Sequence, residues 1–406
     1  MKHTEAVFLS ILKAALQNRN LTDLEDLTQD QWQEIFKMAE VHQVLPMVYQ
    51  TVYKVPGLAV APEIRAAVKK QMVIQTIKTE EFQTLNQKLR EAGCTPVVVK
   101  GLVCRNLYPF PDLRTSNDED VLIPEEQFDL CCQVFREYGM ETHTEESRMH
   151  TDHEVPFRKK DGFLFIELHK SLFPPQQDAY GHWNRFFEDA GERLVEEGNV
   201  LTLSYTDHLF YLICHCFKHF IHSGFGIRQV CDIVMFANAH GDKMDWDRVY
   251  DNCCQIRGEV FTAAIFRIGE NYLTFDPVKA AYPECFRSIA VDETDMLQDL
   301  LSAGVFGGAT MSRKHSSNMT LEAVSAHKKG KKGKKSLKNT LFPSAESLEQ
   351  KYPYLQKYPV LLPVAWGSRI FRYLRETKDA EDNSFVESLQ IGNQRVELLR
   401  KYRVIR

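Results

Sequence analysis

Arg114 to Ile123, RTSNDEDVLI, is the stretch on which the reading of this chain turns. Asp118 to Ile123 predicts a β-strand, and side chains alternate along a strand, so Asp118 and Asp120 share one face while Glu119 points to the other. Two carboxylates fixed a few ångströms apart repel each other unless one takes up a proton or both share a cation, and hard oxygen ligands suit Mg²⁺ or Mn²⁺. In phosphoryl transfer such ions bridge the phosphates, activate the attacking oxygen and stabilise departing pyrophosphate. A DxD pattern alone is weak, because closely spaced acids usually lie on solvated faces. The neighbouring segments have to decide.

Upstream, Thr95 to Lys100 (TPVVVK) is a β-branched run that stops at Gly101, and Leu102 to Tyr108 predicts a short helix. Such a turn leaves backbone amides free to meet a phosphate, with Lys100 as a point charge. The plainer reading is a strand-to-helix turn with an exposed lysine. Downstream, Phe163 to Leu168 predicts a strand on which Phe163, Phe165, Glu167 and His169 share a face. An acid inside that apolar run needs a partner or a metal, which makes Glu167 the candidate third ligand. Arg114 and Ser116 are candidates for phosphate contact or for holding the loop by hydrogen bonds, with a structural ion pair the competing role for Arg114.

Around this segment the periodicity divides the chain in three. Residues 1–93 predict an N-terminal helical extension, with a Thr28 to Gln31 capping box and a later helix bracketed by Pro62 and Gly93. Residues 94–200 form a mixed α/β core of strand, helix, strand, helix, strand, Pro124 opening a helix through about Tyr138. Residues 201–406 predict a C-terminal helical domain, with helices near Ser204 to Ile221, Arg228 to Ala239, Asp245 to Gln255 and Gly258 to Tyr272. Tyr352, Tyr354, Tyr358 and the following LLPVAW are expected to pack the last helices back on the body.

With 406 residues, 44% hydrophobic and 26% charged, two or three structural units are the reasonable expectation. A net charge of -5 argues against a surface built wholly for nucleic acid. The ten cysteines fall in apolar helical stretches without CxxC spacing, which fits buried thiols in a reducing compartment better than disulfides or a zinc knuckle. The N-terminal run has no clean apolar core or cleavage site, and no stretch reaches the roughly 18 apolar residues of a membrane span. A cytoplasmic protein with no membrane contact is expected. His327 to Lys338, HKKGKKGKKSLK, predicts a solvated mobile loop able to attract an anionic partner.

The segment KG with a short helix ending LYPFPDLR, then R-x-x-x-D-x-D-V-L-I, then IELHK, resembles a bacterial group of uncharacterised nucleotidyltransferases within the DNA polymerase β superfamily. HLFYLICHCFKHF, IRQVCDIVMFA and DWDRVYDNC resemble the helical half of the same group. The resemblance implies an α+β fold: a polymerase-β-type sheet flanked by the N-terminal helical extension and the C-terminal helical domain. It implies a metal-dependent enzyme that moves a nucleoside monophosphate from an NTP to an unidentified hydroxyl or phosphate acceptor. Carried over by position, Asp118 and Asp120 are the strand ligands of Mg²⁺ or Mn²⁺, and Glu167 is the third carboxylate. Lys100 and Gly101 stand where better known members carry a Gly-Ser phosphate loop.

In the helical half, His208, Tyr211, His215, His219 and His222 fall in one stripe of an ideal helix. The candidates for a substrate cleft are His169, His215, Lys218, His219 and Arg228, with a zinc pair at His215 and His219 or ordinary hydrogen-bonded histidines as alternatives. Arg228 and Asp232, four apart, predict a helix-face pair, with substrate contact as the other reading. Two other functions stay open: a non-catalytic nucleotide sensor or antitoxin-like partner, and an RNA binder acting through Lys328, Lys329, Lys331, Lys332, Lys334 and Lys335.

Overall fold

A computed structural model of the chain describes residues 1–304 except 23, 25 and 26, together with 317, 319–321, 323–325, 327, 348, 352, 354–368 and 385–406. The lysines at 328–335 lie outside the described residues. Four helices come first: α1 (His3–Leu16), α2 (Gln29–Val41), α3 (Leu45–Val52) and the long α4 (Pro62–Glu91). The capping box expected at α2 is formed: Thr28 Oγ1 accepts from the Gln31 amide at 3.3 Å, and Gln31 Oε1 accepts from the Thr28 amide at 2.8 Å.

The sheet has seven strands, β1 (Val97–Val99), β2 (Glu119–Leu122), β3 (Met140–Glu141), β4 (Glu154–Lys159), β5 (Phe165–His169), β6 (Val195–Glu197) and β7 (Val200–Thr202). Their order is β3-β4-β5-β2-β1-β7-β6. β2 lies in the middle, antiparallel to β1 and parallel to β5. The pattern of residues points to only three of these strands. β4 reads EVPFRK, and a proline argues against an inner strand because it cannot donate to the ladder. It is tolerated at Pro156 because β3 pairs only with Arg158 and Lys159, so the missing N–H faces no neighbouring strand. β6 and β7 are three residues each, too short to show a period, and turn through Gly198 at φ +62°.

Short helices α5 (Gly101–Arg105), α6 (Phe128–Glu137) and α7 (Glu146–Met149) sit among the strands. Then follow α8 (Tyr205–His222), α9 (Ile227–His240), α10 (Trp246–Gln255), α11 (Glu259–Tyr272), α12 (Glu284–Arg287) and α13 (Thr294–Ala303). Ser204 and Asp245 cap α8 and α10 by accepting from the amides three residues on, at 3.2 and 3.0 Å. Buried apolar side chains from α1 to Ile405, including Val98 of β1 and Phe220 of α8, form one continuous cluster. The helix Phe385–Lys401 joins it through Val396 and Leu399, with Arg395 paired to Asp299 at 2.6 Å. Among the described residues, Tyr352 packs with Leu348, Leu355 and Ala365 in a separate small cluster, and Tyr358 is exposed.

The expected Arg228–Asp232 pair is replaced by a longer-range one. Asp232 on α9 accepts from Arg114 Nε at 3.1 Å and Nη2 at 2.6 Å, and from the Tyr108 hydroxyl at 2.7 Å, all buried. The planar guanidinium satisfies both carboxylate oxygens at once, which an adjacent residue on the same helix turn does less well. Arg228 instead donates to the Thr115 carbonyl. Removing one partner of a buried pair leaves an uncompensated charge, so Asp232→Ala should lose about 3–5 kcal/mol of stability. Urea unfolding checks this, and Arg114→Met combined with Asp232→Leu should recover most of the loss.

Candidate active site

Parallel pairing of β2 with β5 sets Asp120 directly beside Glu167, and Leu122 beside His169. Because alternate residues share a face, Asp120, Glu167 and His169 come to one side of the sheet, and one ligand atom from each lies within 4.8 Å of the others. His169 Nε2 is 3.2 Å from Asp120 Oδ1 and 3.8 Å from Glu167 Oε2. Glu154, opposite His169 on β4, brings its Oε2 to 3.6 Å from His169 Nδ1. Asp118, two residues before Asp120 and half-buried, precedes the strand and is not among the three grouped side chains. Its charge still raises Glu167 and Lys100.

Lys100 closes the site from the end of β1. Its Nζ is 2.7 Å from Asp120 Oδ2 and 3.4 Å from His215 Nε2 on α8. The backbone at Lys100 has φ +65°, a conformation that costs a non-glycine residue about 1–3 kcal/mol and persists where the surroundings fix it. What fixes it is a buried chain of hydrogen bonds. The Lys100 amide donates to His208 Nε2 at 3.0 Å, His208 Nδ1 lies 3.0 Å from Thr202 Oγ1, and that hydroxyl donates to the Val98 carbonyl at 2.6 Å. Since Nε2 accepts and Thr202 donates elsewhere, the proton sits on Nδ1. Burial pushes His208 down to about 3, which keeps the ring neutral for this role.

The charges of the site act strongly on one another. Burial and then the neighbouring Asp120 and Asp118 carboxylates push Glu167 up to about 7. Burial alone would raise Asp120 as well, but the Lys100 ammonium and the His169 imidazole outweigh it and hold Asp120 well below the usual carboxylate range. Lys100 is raised for the reciprocal reason, Asp120 overcoming the effect of burial. Asp120 Oδ2 faces the Lys100 ammonium at 2.7 Å, whereas His169 Nδ1 is buried without a hydrogen bond. Two carboxylates and one imidazole crowded together fit a divalent ion that accepts a nitrogen ligand among oxygens.

The other face of β2 is structural. Glu119 is fully buried, paired with Arg105, and accepts from the Leu102 amide at 2.9 Å and from the Ser116 hydroxyl at 3.1 Å. The turn at Gly101 is filled from inside by the Glu119 carboxylate, against which any Cβ at Gly101 would collide, so packing alone requires the glycine. Ser116, read as a phosphate contact or as holding the loop by hydrogen bonds, is bonded to Glu119, Arg105 and Gln75. Arg114, expected beside it, is held by Asp232, the structural ion pair that competed with phosphate contact.

Lys78 is a site residue that sequence reasoning passed over. From α4 it donates to the Ser116 and Asn117 carbonyls at 2.6 and 2.9 Å, fixing the backbone immediately before Asp118. Burial pushes it down to about 8, against the opposing pull of Glu119. Its signal was a lysine on the apolar stripe of Phe82, Leu85 and Leu89.

The model of a family described as "Uncharacterised nucleotidyltransferase" matches residues 28–273, more than half of the chain. The chain belongs to that family. The matched span of this nucleotidyltransferase runs from the α2 cap through α11 and contains every residue of the site. No curated protein matches the chain. A solved structure described as "Structure of tRNA-processing enzyme complex 3" is 11% identical, covering 79% of this chain and 100% of its own, with a TM-score of 0.21; that likeness is too low to carry an argument.

Along α8 of this nucleotidyltransferase the polar stripe divides by role. His208 is the buried pin of the Lys100 turn, whereas His215 stands over Lys100 and its ring lies 4.7 Å from that of His219. Among the described residues His215 and His219 join no group of three metal ligands, so the zinc alternative finds no completing side chain. All ten cysteines are unpaired, eight of them buried. No helix among the described residues is long and apolar enough to cross a membrane.

The two acids at 119 and 120 give a sharp contrast in solution. Asp120→Asn and Glu167→Gln should each weaken Mn²⁺ binding about tenfold or more, measured by electron paramagnetic resonance titration. Glu119→Gln should leave that affinity within about twofold and instead lower the unfolding midpoint, as loss of one partner of a buried pair does.

Proposed function

We propose that this nucleotidyltransferase is metal-dependent and transfers a nucleoside monophosphate from an NTP to a hydroxyl or phosphate acceptor, with release of pyrophosphate. The observation that carries this is the side-by-side placement of Asp120 and Glu167 with His169 on one sheet face, Asp118 two residues upstream. Family membership gives the transferase class. Asp120, Glu167 and His169 would hold the ion, Mg²⁺ or Mn²⁺, and Asp118 would complete its oxygen ligands from the strand entrance. When bound, the metal supplies Lewis acidity at the α-phosphate and neutralises charge on the leaving group.

The chain's own groups do the rest. Lys78 and the Glu119 network fix the loop and strand so that Asp118 and Asp120 do not have to be ordered when substrate arrives. Lys100 carries a permanent positive charge to the edge of the carboxylates, where the phosphates approach. The acceptor oxygen attacks the α-phosphorus, the bond from that phosphorus to the bridging oxygen breaks, and the electron pair leaves with pyrophosphate. A carboxylate beside the attacking oxygen takes its proton.

The test is pyrophosphate release from each of the four NTPs in the presence of cell extract. Asp118→Asn and Asp120→Asn should lower turnover by about three orders of magnitude while the chain stays folded, checked by circular dichroism. A double variant with full activity would overturn the assignment. Nucleotide binding without pyrophosphate release under any acceptor condition would favour the sensor reading instead.

A further inference from the structure

Lys218 lies on α8 three residues after His215, one helical turn further along the side that stands over Lys100. It is half-buried, yet among the described residues it makes no ion pair and no hydrogen bond. Glu154, Asp120 and Glu167 are near enough to attract it, but burial and then the repulsion of Lys100 dominate its surroundings. Arg228, at the start of α9, is a second buried cation, and it acts on His215 together with Lys100 and Lys218; its guanidinium donates to the Thr115 carbonyl and its Nε has no partner. An ammonium kept partly out of water with no carboxylate in direct contact is costly unless something anionic completes it.

The turn at Gly101 offers little to such an anion. Its Leu102 amide is bonded to Glu119, and α5 is only five residues long. A divalent ion on Asp120 and Glu167 would cancel the acids that now balance Lys100 and Lys218. The positive charge along α8 would then be unmatched.

We propose that the α8 face around Lys218, with Lys100 and Arg228 at its edges, is the polyphosphate subsite, and that the β- and γ-phosphates of the donor lie along α8. This rests on the nucleotidyltransferase reading and deepens it by naming where the triphosphate is held. Lys218 contacts the phosphate chain beyond the bond that breaks, so its charge discriminates triphosphate from monophosphate.

The experiment is calorimetric titration of the full chain with Mg²⁺ and inorganic tripolyphosphate, with each of four α,β-methylene NTP analogues, and with the four nucleoside monophosphates. Wild type is compared with Lys218→Gln and Lys218→Arg. Loss of one charge-assisted contact to phosphate should weaken tripolyphosphate and the best analogue about tenfold or more. The monophosphate should change by less than about twofold, and Lys218→Arg should restore most of the loss because the charge is kept. Equal binding of tripolyphosphate by wild type and Lys218→Gln, or an equal loss for mono- and triphosphate, overturns the subsite. If wild type binds the NTP analogues and Lys218→Gln matches it, the nucleotidyltransferase reading stands and the subsite falls. If tripolyphosphate binds in a Lys218-dependent way and no analogue binds, the anion site stands and the nucleotidyltransferase reading falls. Binding of none of the probes by wild type removes both.

Discussion

Mutual repulsion between Asp120 and Glu167 is the constraint around which this molecule is organised. Parallel pairing of β2 and β5 forces the two carboxylates together, and neither can turn away without breaking the ladder that places it. The chain answers the repulsion with cations drawn from different elements: Lys100 from the end of β1, and the imidazole of His169 from β5 itself. Stability and chemistry pull in opposite directions here. A sheet designed only to fold would carry apolar residues at 120 and 167.

The opposite face of the same strand shows the complementary solution. Glu119 is as buried as Asp120, yet its oxygens are satisfied by Arg105, Ser116 and the Leu102 amide. One acid is held by a guanidinium, a hydroxyl and a backbone amide, and its neighbour by an ammonium and an imidazole beside a second carboxylate. That second carboxylate, rather than burial, is what distinguishes the Asp120 face from the Glu119 face.

Much of this was legible in the residues. Alternation along Asp118 to Ile123 separates Glu119 from Asp120, and the apolar run around Glu167 marks an acid needing company, because strand periodicity is a local property. The helices of the C-terminal half likewise declare themselves through caps and spacing. What could not be read was long-range partnership. Arg114 meets Asp232 across 118 positions, and Lys78 reaches the Asp118 loop from the N-terminal helical extension. Glu154 escaped notice because its strand contains Pro156, whose tolerance depends on how short β3 happens to be. The filled turn at Gly101 escaped for a similar reason: a glycine before a helix looks the same whether it admits a phosphate or a carboxylate of its own chain.

The hydrogen-bonded thread from Lys100 through His208 and Thr202 to Val98 ties the end of one inner strand to a helix more than a hundred positions later. The sheet therefore does not hold its own cation unaided. Excising residues 94–200 would keep the carboxylates but remove His208 and Thr202, releasing Lys100 from its left-handed backbone to swing with the loop. The same strands set against a different helix would lack His208, so the sheet and α8 make one mechanical part.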